Sequence, residues 1–286
     1  YGQNTDALDL ESCSNALVDG CNFDTGDDGI CIKSGRDEEG RKRGMPTKDV
    51  VVVNTTVYHA HGGFVIGSEM SGGSNNIFVS NCTFIGTDIG LRFKTTRGRG
   101  GIVENIYASN IAMRDIVGEA VLFDMYYAAK DPVPLEGEKR EMPVIQTLPV
   151  TEATPIFRNF YFNNVYCNGA EKAIFVRGIP EMNISNIVLS DMVFATNKGI
   201  ECTEGANIEF NKIKLVTQQA NPLVYIQNSS KLTFNNFSFE SGVPLLFSVN
   251  GDRSSGILVK STNVGAAAKK DEFLFGAKTN SINYQK

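Results

Sequence analysis

The chain has 286 residues, of which 42% are hydrophobic and 21% charged, a balance typical of a globular protein. Its formal net charge of −5 disfavours nucleic acid as a partner, and its two histidines are too few for a histidine-rich metal site. Because the chain lacks any run of 18 or more apolar residues, we expect no membrane span.

A nine-residue pattern recurs along most of the chain. It opens with a polar residue, usually Asn, has apolar residues at the second, fourth, seventh and ninth positions, and usually has Asn or Asp at the sixth. The copies begin at Asn76, Asn105, Asn159, Asn186, Asn207 and Lys231, with looser copies at Asn15 and Asp49. Their spacing is broadly regular, except that the interval from Asn105 to Asn159 is about twice the usual one, and inside it we expect one poorly matching coil.

A second apolar run, led by Gly, Ala or Pro, begins 13–15 residues after the start of each copy. Alternation of apolar residues identifies both runs as strands, and no segment outside 128–155 predicts a helix. Two or three strands in each repeat, repeated about eight times, predict an all-β single-stranded right-handed parallel β-helix, a solenoid with coils about 4.8 Å apart. We expect one domain over 1–286, with a loop insertion at 128–155 and a C-terminal tail or cap at 262–286. The recurrent Asn side chains should form an amide ladder from coil to coil.

The six cysteines show no CxxC pair and no zinc-site spacing. The repeat gives Cys21 and Cys82 the same position two coils apart, a separation of roughly 10 Å that is too large for a disulfide. We therefore expect the cysteines to be buried free thiols.

Titratable residues stand at equivalent positions of neighbouring repeats, directly before the second run. Aligning the glycines that lead this run puts Asp27 level with His61 on neighbouring coils. Asp6 lies 22 residues before Asp28, in front of a similar apolar run, and so stacks one coil earlier. Coil stacking is therefore predicted to bring three acids and one imidazole onto one wall, although they are distant in sequence.

Two cations are predicted to join this wall. Leu91 and Phe93 should face the core, so that Arg92 and Lys94 face outward together. The segment 91–101 contains four basic residues and no acid, which favours a local anionic ligand. Crowding should raise the pKa of at least one carboxyl, which can then protonate a glycosidic oxygen, while an ionised carboxylate activates water. The cations can hold a substrate carboxylate.

The chain resembles glycoside hydrolase family 28, the polygalacturonases, over residues 1–127. Four motifs of that family occur in order: Asn4-Thr5-Asp6, Gly26-Asp27-Asp28, His61-Gly62 and Arg92-Phe93-Lys94. Ala7, Ala60 and Phe93 depart from the residues that are usual in the family.

The resemblance implies inverting hydrolysis of α-1,4-galacturonosyl linkages in pectin. Asp27 would be the general acid, His61 its hydrogen-bonding partner, and Asp6 and Asp28 the pair that positions and deprotonates water. Arg92 and Lys94 would bind a galacturonate carboxylate. A family tyrosine would fall at Tyr126 or Tyr127, and the sequence does not choose between them.

Further expectations follow from the resemblance. The run GFVIGSEMSGG after His61 is similar to that of bacterial exo-acting members, and the loop 36–48 and the insertion 128–155 are placed to wall off one end of a cleft. Family members carry coils and a cap before the first motif, so we expect the natural protein to extend N-terminally. The expected partner is a pectic polysaccharide or oligogalacturonide, with no cofactor and no metal. We expect a monomer that is secreted or periplasmic, as the substrate requires.

Three alternatives remain open. The chain could cleave a related pectic polymer, rhamnogalacturonan or xylogalacturonan. It could be a pectate lyase, in which the three aspartates would bind calcium. It could also be a non-catalytic carbohydrate-binding β-helix, although such a protein would not need aligned acids.

Overall fold

The computed structural model describes residues 3–129 and 146–285. In these ranges the helix α1 spans Asp37–Arg43, and two 3₁₀ turns span Val264–Ala266 and Thr279–Ser281. None of the described helices is long and apolar enough to cross a membrane. The strands are β1 (Leu8–Glu11), β2 (Ser14–Asp19), β3 (Asn22–Asp24), β4 (Ile30–Lys33), β5 (Thr47–Val53), β6 (Thr56–Tyr58), β7 (Gly62–Ile66), β8 (Ser74–Ile85), β9 (Ile89–Lys94), β10 (Ile102–Arg114), β11 (Glu119–Asp124), β12 (Ile156–Asn168), β13 (Lys172–Arg177), β14 (Ile184–Thr196), β15 (Lys198–Thr203), β16 (Gly205–Thr217), β17 (Val224–Gln227), β18 (Ser230–Asn235), β19 (Ser238–Phe239), β20 (Leu245–Asn250), β21 (Ile257–Lys260), β22 (Lys269–Leu274) and β23 (Ile282–Gln285).

The strands form two parallel sheets along the molecule. Sheet 1 has ten strands in the order β1-β4-β7-β9-β11-β13-β15-β17-β20-β22. Sheet 2 has thirteen, in the order β2-β5-β8-β10-β12-β14-β16-β18-β21-β23, with β3, β6 and β19 beside that path. Neighbouring strands come from successive coils, so the predicted all-β right-handed parallel β-helix is confirmed. Within the described residues, ten coils cross sheet 1, rather than about eight, and the segment 262–285 adds a strand to each sheet.

The recurrent Asn residues mark the bends of the long strands in sheet 2. Asn76 and Asn81 in β8 have φ angles of 58° and 53°, a left-handed conformation that Asn tolerates better than most residues. The predicted amide ladder is confirmed, since Asn159 Nδ2 donates to Asn105 Oδ1 at 3.3 Å and Asn186 Nδ2 donates to Asn159 Oδ1 at 3.1 Å. The pattern therefore encodes both the bend and its link to the next coil.

The long interval from Asn105 to Asn159 does not contain the extra coil that the spacing suggested. Strand β10 pairs directly with β12, with Ile106 opposite Phe160, which leaves no room for a coil between them. In the sequence, the additional residues fall between β11 and β12. Of the predicted loop insertion at 128–155, residues 130–145 lie outside the described part of the chain.

The prediction that no helix lies outside the insertion is wrong, because α1 forms within the predicted loop 36–48. Three acidic residues in its first turn and three basic residues in its last turn match the helix dipole. Glu38 and Lys42 form an ion pair of 2.7 Å one turn apart. The Arg41 guanidinium donates to the Gly98 carbonyl at 2.5 Å, so contacts with a distant coil stabilise a helix too short to be stable alone.

Phenylalanines from both sheets fill the core behind β9. Phe93 is fully buried, with ring centroids 4.9 Å from Phe123 and 5.1 Å from Phe160. Leu91 is also fully buried, as the alternation predicted. The intervening side chains of this strand therefore lie on the outer face of sheet 1.

Candidate active site

The strand register of sheet 1 brings the predicted acids together. The pairing of β1 with β4 aligns Asp6 with Asp28, and the pairing of β4 with β7 aligns Asp27 with His61. Backbone hydrogen bonds continue this alignment into the turns, since the His61 amide donates to the Asp27 carbonyl at 2.8 Å. These are the alignments that the leading glycines predicted.

Asp27 and His61 form a partly exposed pair. His61 Nδ1 lies 3.0 Å from Asp27 Oδ1, and the two side chains are 44% and 22% exposed. On the next coil, Asp88 Oδ2 lies 3.8 Å from His61 Nε2. Since Asp27 is accessible, its carboxyl can exchange a proton with a ligand while the imidazole holds its orientation.

Asp28 is buried and bound by two cations. Lys94 Nζ lies 2.6 Å from Asp28 Oδ2 and Arg92 Nη1 lies 3.1 Å from Asp28 Oδ1, while the Asp28 side chain is only 3% exposed. A buried carboxylate needs such partners to offset its lost hydration. Arg92 and Lys94, predicted as ligands of a substrate carboxylate, thus already contact a carboxylate of the protein.

Asp6 is held by a lysine that the sequence did not single out. Lys33 Nζ lies 2.6 Å from Asp6 Oδ2 and 2.9 Å from Asp9 Oδ1, and the Asp28 amide donates to Asp6 Oδ1 at 3.2 Å. Burial alone would raise the pKa of Asp6, but hydrogen bonds with Lys33, Asp9 and the Asp28 amide, together with the Lys33 charge, outweigh it and lower that pKa.

Burial, together with the hydrogen bond and the charge of Asp6, raises the pKa of Asp9. Lys33 and Asp9 were missed because each reads as an ordinary charged residue of an exposed strand face. Alternate residues of a strand share a face, which is why Arg92 and Lys94 were placed together. The same rule puts Lys33 on the outward face with Cys31, and it would have placed Lys33 in this wall.

The structure separates the two candidate tyrosines. The Tyr127 ring covers the cations, with Lys94 Nζ at 4.9 Å and the Arg92 guanidinium carbon at 5.6 Å from its centroid. Tyr126 is buried, and its ring lies 5.6 Å from the Arg97 guanidinium carbon and 5.9 Å from that of Arg177. Tyr126 therefore does not join the other candidate residues, because successive residues of this turn point to different sides.

All four basic residues of the segment 91–101 have acidic partners. Beyond the two that bind Asp28, Arg97 binds Glu181 through two hydrogen bonds of 2.5 and 2.8 Å, and Arg99 pairs with Asp37 at the start of α1. These acids therefore partly neutralise the positive charge of the segment 91–101. Of its four basic residues, Arg92 and Lys94 are the two that lie in the acidic wall.

Asp6, Asp28 and Cys31 place three ligand atoms within 4.8 Å of one another. Both carboxylates are already bound by ammonium or guanidinium groups, which oppose a further cation. Burial raises the pKa of the Cys31 thiol well above its usual value, which disfavours the thiolate that binds metals. This donor set does not suit a divalent cation, and the absence of a metal from the reaction stays a prediction.

Comparisons with a family model, with known sequences and with solved structures find related proteins. The sequence model of glycosyl hydrolases family 28 matches residues 2–145. A probable polygalacturonase of Vitis vinifera is 30% identical over 66% of this chain and 36% of its own length. An exo-poly-alpha-D-galacturonosidase of Dickeya chrysanthemi is 30% identical over 44% of this chain and 21% of its own length.

A solved structure, a hyperthermoactive exopolygalacturonase from Thermotoga maritima, superposes with a TM-score of 0.57 at 31% identity. The match covers 73% of this chain and 42% of that protein. The matched part of the chain thus covers between 21% and 42% of the length of these relatives.

Proposed function

The chain belongs to glycosyl hydrolases family 28, and from this premise we propose that it hydrolyses α-1,4-galacturonosyl linkages of pectin with inversion of the anomeric carbon. The observation that carries the proposal is the pairing of an accessible Asp27 with His61 beside a buried, cation-bound Asp28. Asp27 is open to a substrate oxygen, whereas Asp28 is enclosed by Arg92 and Lys94, so the two neighbouring carboxylates can take different roles.

Asp27 is proposed to protonate the glycosidic oxygen as the bond to the leaving sugar breaks. Its hydrogen bond to His61 holds the carboxyl in one orientation through the reaction. Asp6 and Asp28 hold the attacking water and accept its proton on the opposite face of the sugar. Their contacts with Lys33, Arg92 and Lys94 keep both groups fixed.

Arg92, Lys94 and Tyr127 are proposed to bind a galacturonate next to the scissile bond. Asp28 holds both cations in position before substrate arrives, so that less side-chain freedom is lost on binding. A uronate carboxylate would then share the cations with Asp28 under the Tyr127 ring. This arrangement favours an anionic sugar over a neutral one.

We propose exo action, in which short products leave one end of the polymer. The Dickeya relative and the Thermotoga structural neighbour are both named as exo-acting. In this chain, Arg41 of α1 donates to the Gly98 carbonyl, which follows β9, and lies 3.9 Å from Glu152, so α1 and the described end of the insertion lie together beside the segment that follows Lys94. Secretion belongs to the same proposal, since the polymer lies outside the cell, and the monomeric state stays a prediction.

Product analysis on polygalacturonate with the full-length protein tests this function. Mono- or disaccharide from the first minutes is expected for exo action, whereas a ladder of oligomers would show endo action. Proton NMR of the first product should show the inverted anomer. An unsaturated, ultraviolet-absorbing product would instead identify a lyase.

The chain offers a matched control for the general acid. Asp24 and His59 form a second pair, 3.2 Å apart, which is 53% and 65% exposed and lies away from the wall. Asp27→Asn should lower kcat by about 10²–10⁴-fold, whereas Asp24→Asn should leave it within about twofold of the parent. Equal activity of both variants would contradict the proposed role of Asp27, whereas binding without any cleavage by the parent would favour a binding module.

A further inference from the structure

We propose that Lys33 is a positioning residue whose ammonium group, bridging Asp6 and Asp9, fixes the Asp6 carboxylate for its contact with the attacking water. This inference rests on the proposed function, because the water is that of the hydrolysis. Lys33 itself is not placed against the substrate: it acts through Asp6. Neither the motifs nor the charge pattern identified it.

The position of Lys33 follows from the register of β1 and β4. Asp9 lies opposite Cys31, and Lys33 follows on the same outward face two residues later. From there the lysine side chain crosses back to both acids of the preceding coil, at 2.6 Å to Asp6 and 2.9 Å to Asp9. It is only 18% exposed, so the bridge is partly shielded from water.

The two oxygens of Asp6 are held from different sides. Oδ2 accepts from the Lys33 ammonium at 2.6 Å, and Oδ1 accepts from the Asp28 backbone amide at 3.2 Å. Two donors on separate oxygens define the plane of the carboxylate, whereas one would allow rotation. The remaining lone pairs are thereby aimed in a fixed direction, as a group that orients water requires.

The charge of Lys33 also determines the protonation state of Asp6. The charged or titratable groups around Asp6 are Asp9 on its own coil, Asp28, Cys31 and Lys33 on the next coil, and Lys94 beyond Asp28. Burial favours the protonated acid, but hydrogen bonding to Lys33 lowers the pKa of Asp6. A group with a lowered pKa stays ionised to lower pH, so removal of Lys33 should move the loss of activity on acidification to higher pH.

The pH dependence of kcat and KM on polygalacturonate tests the proposal with three variants. Lys33→Gln removes the charge, Lys33→Arg keeps it, and Lys214→Gln removes an exposed lysine from the outer face of sheet 2. We expect Lys33→Gln to lower kcat about tenfold to a hundredfold with little change in KM, and to move the acidic limb of the profile to higher pH.

Lys33→Arg should recover most of the activity and the acidic limb, and Lys214→Gln should match the parent. A parent-like profile for Lys33→Gln would overturn the proposal. So would a loss expressed only in KM, because Lys33 would then act in substrate binding.

A second measurement does not depend on turnover or on the folding of a Lys33 variant. Carbon-13 NMR of the parent, labelled at aspartate carboxyls, gives the titration of Asp6, assigned through Asp6→Asn. We expect Asp6 to titrate below the usual range of aspartate. Titration within or above that range would overturn the proposal, whether or not polygalacturonate is cleaved. Failure of cleavage alone would refute the proposed function and leave the bridge supported by the titration.

Discussion

Removal of Lys94 should destabilise the protein by leaving a buried carboxylate short of a partner. The Asp28 and Lys94 side chains are 3% and 7% exposed, and their charged atoms lie 2.6 Å apart. Removing one member of a buried pair costs about 3–5 kcal/mol. Arg92 still contacts Asp28 at 3.1 Å in the variant, so we expect Lys94→Met to cost about 3 kcal/mol of unfolding free energy.

A double-mutant cycle separates this effect from lost packing of the lysine stem. Asp28→Asn removes the charge that Lys94 neutralises, and the Asn amide oxygen can still accept from Arg92. The double variant Lys94→Met/Asp28→Asn should therefore be more stable than Lys94→Met by at least about 1 kcal/mol.

Urea unfolding followed by far-ultraviolet circular dichroism measures each free energy, with Lys214→Met as the exposed control, expected within about 0.5 kcal/mol of the parent. The reasoning is refuted if Lys94→Met is as stable as the parent. It is also refuted if the two single effects simply add in the double variant.

Two further predictions concern the tyrosines and the cysteines. Tyr127→Ala should lower kcat/KM on polygalacturonate about threefold to thirtyfold, because a ring over two cations contributes roughly 0.5–2 kcal/mol. Tyr126→Phe, which keeps the buried ring, should leave kcat/KM nearly unchanged, and steady-state kinetics showing the reverse order would assign the site to Tyr126. The cysteines were expected to be buried, but Cys13 and Cys21 are only half-buried, and these two should react with a thiol reagent in the native protein. The other four should react only in denaturant, since burial raises the pKa of Cys167 and Cys202 to about 12; a native count above two would contradict their burial.

The alignment of Asp6 with Asp28 and of Asp27 with His61 was predictable because parallel coils stack in register. A residue's distance from the leading glycine fixes its place on the sheet, whatever the length of the turns elsewhere in the coil. The same regularity identified the outward face of β9. Site residues that lie at a fixed position of the repeat could therefore be located from the sequence alone.

The features that were missed depend on contacts rather than on a repeat. The helix α1 has seven residues, too few for a periodic pattern, and its Arg41 binds a carbonyl from a coil much later in the chain. The interval from Asn105 to Asn159 looked like two periods because an insertion and a degenerate coil have the same length in sequence. The bridge from Lys33 to Asp6 required a side-chain direction that spacing alone does not give.

The four motifs are parts of one contact network rather than independent signatures. Arg92 and Lys94 reach Asp28 across the coil that lies between them, and Gly62 occupies the crossing point. A Cβ atom there would lie 3.3 Å from both Arg92 Cδ and Asp28 Oδ1, and 2.4 Å from a Val65 methyl group. The glycine that follows His61 therefore leaves the path open for the cations of one motif to bind the acid of another. Asp28 in turn donates its amide to Asp6, so a change in any one motif alters the geometry of the others.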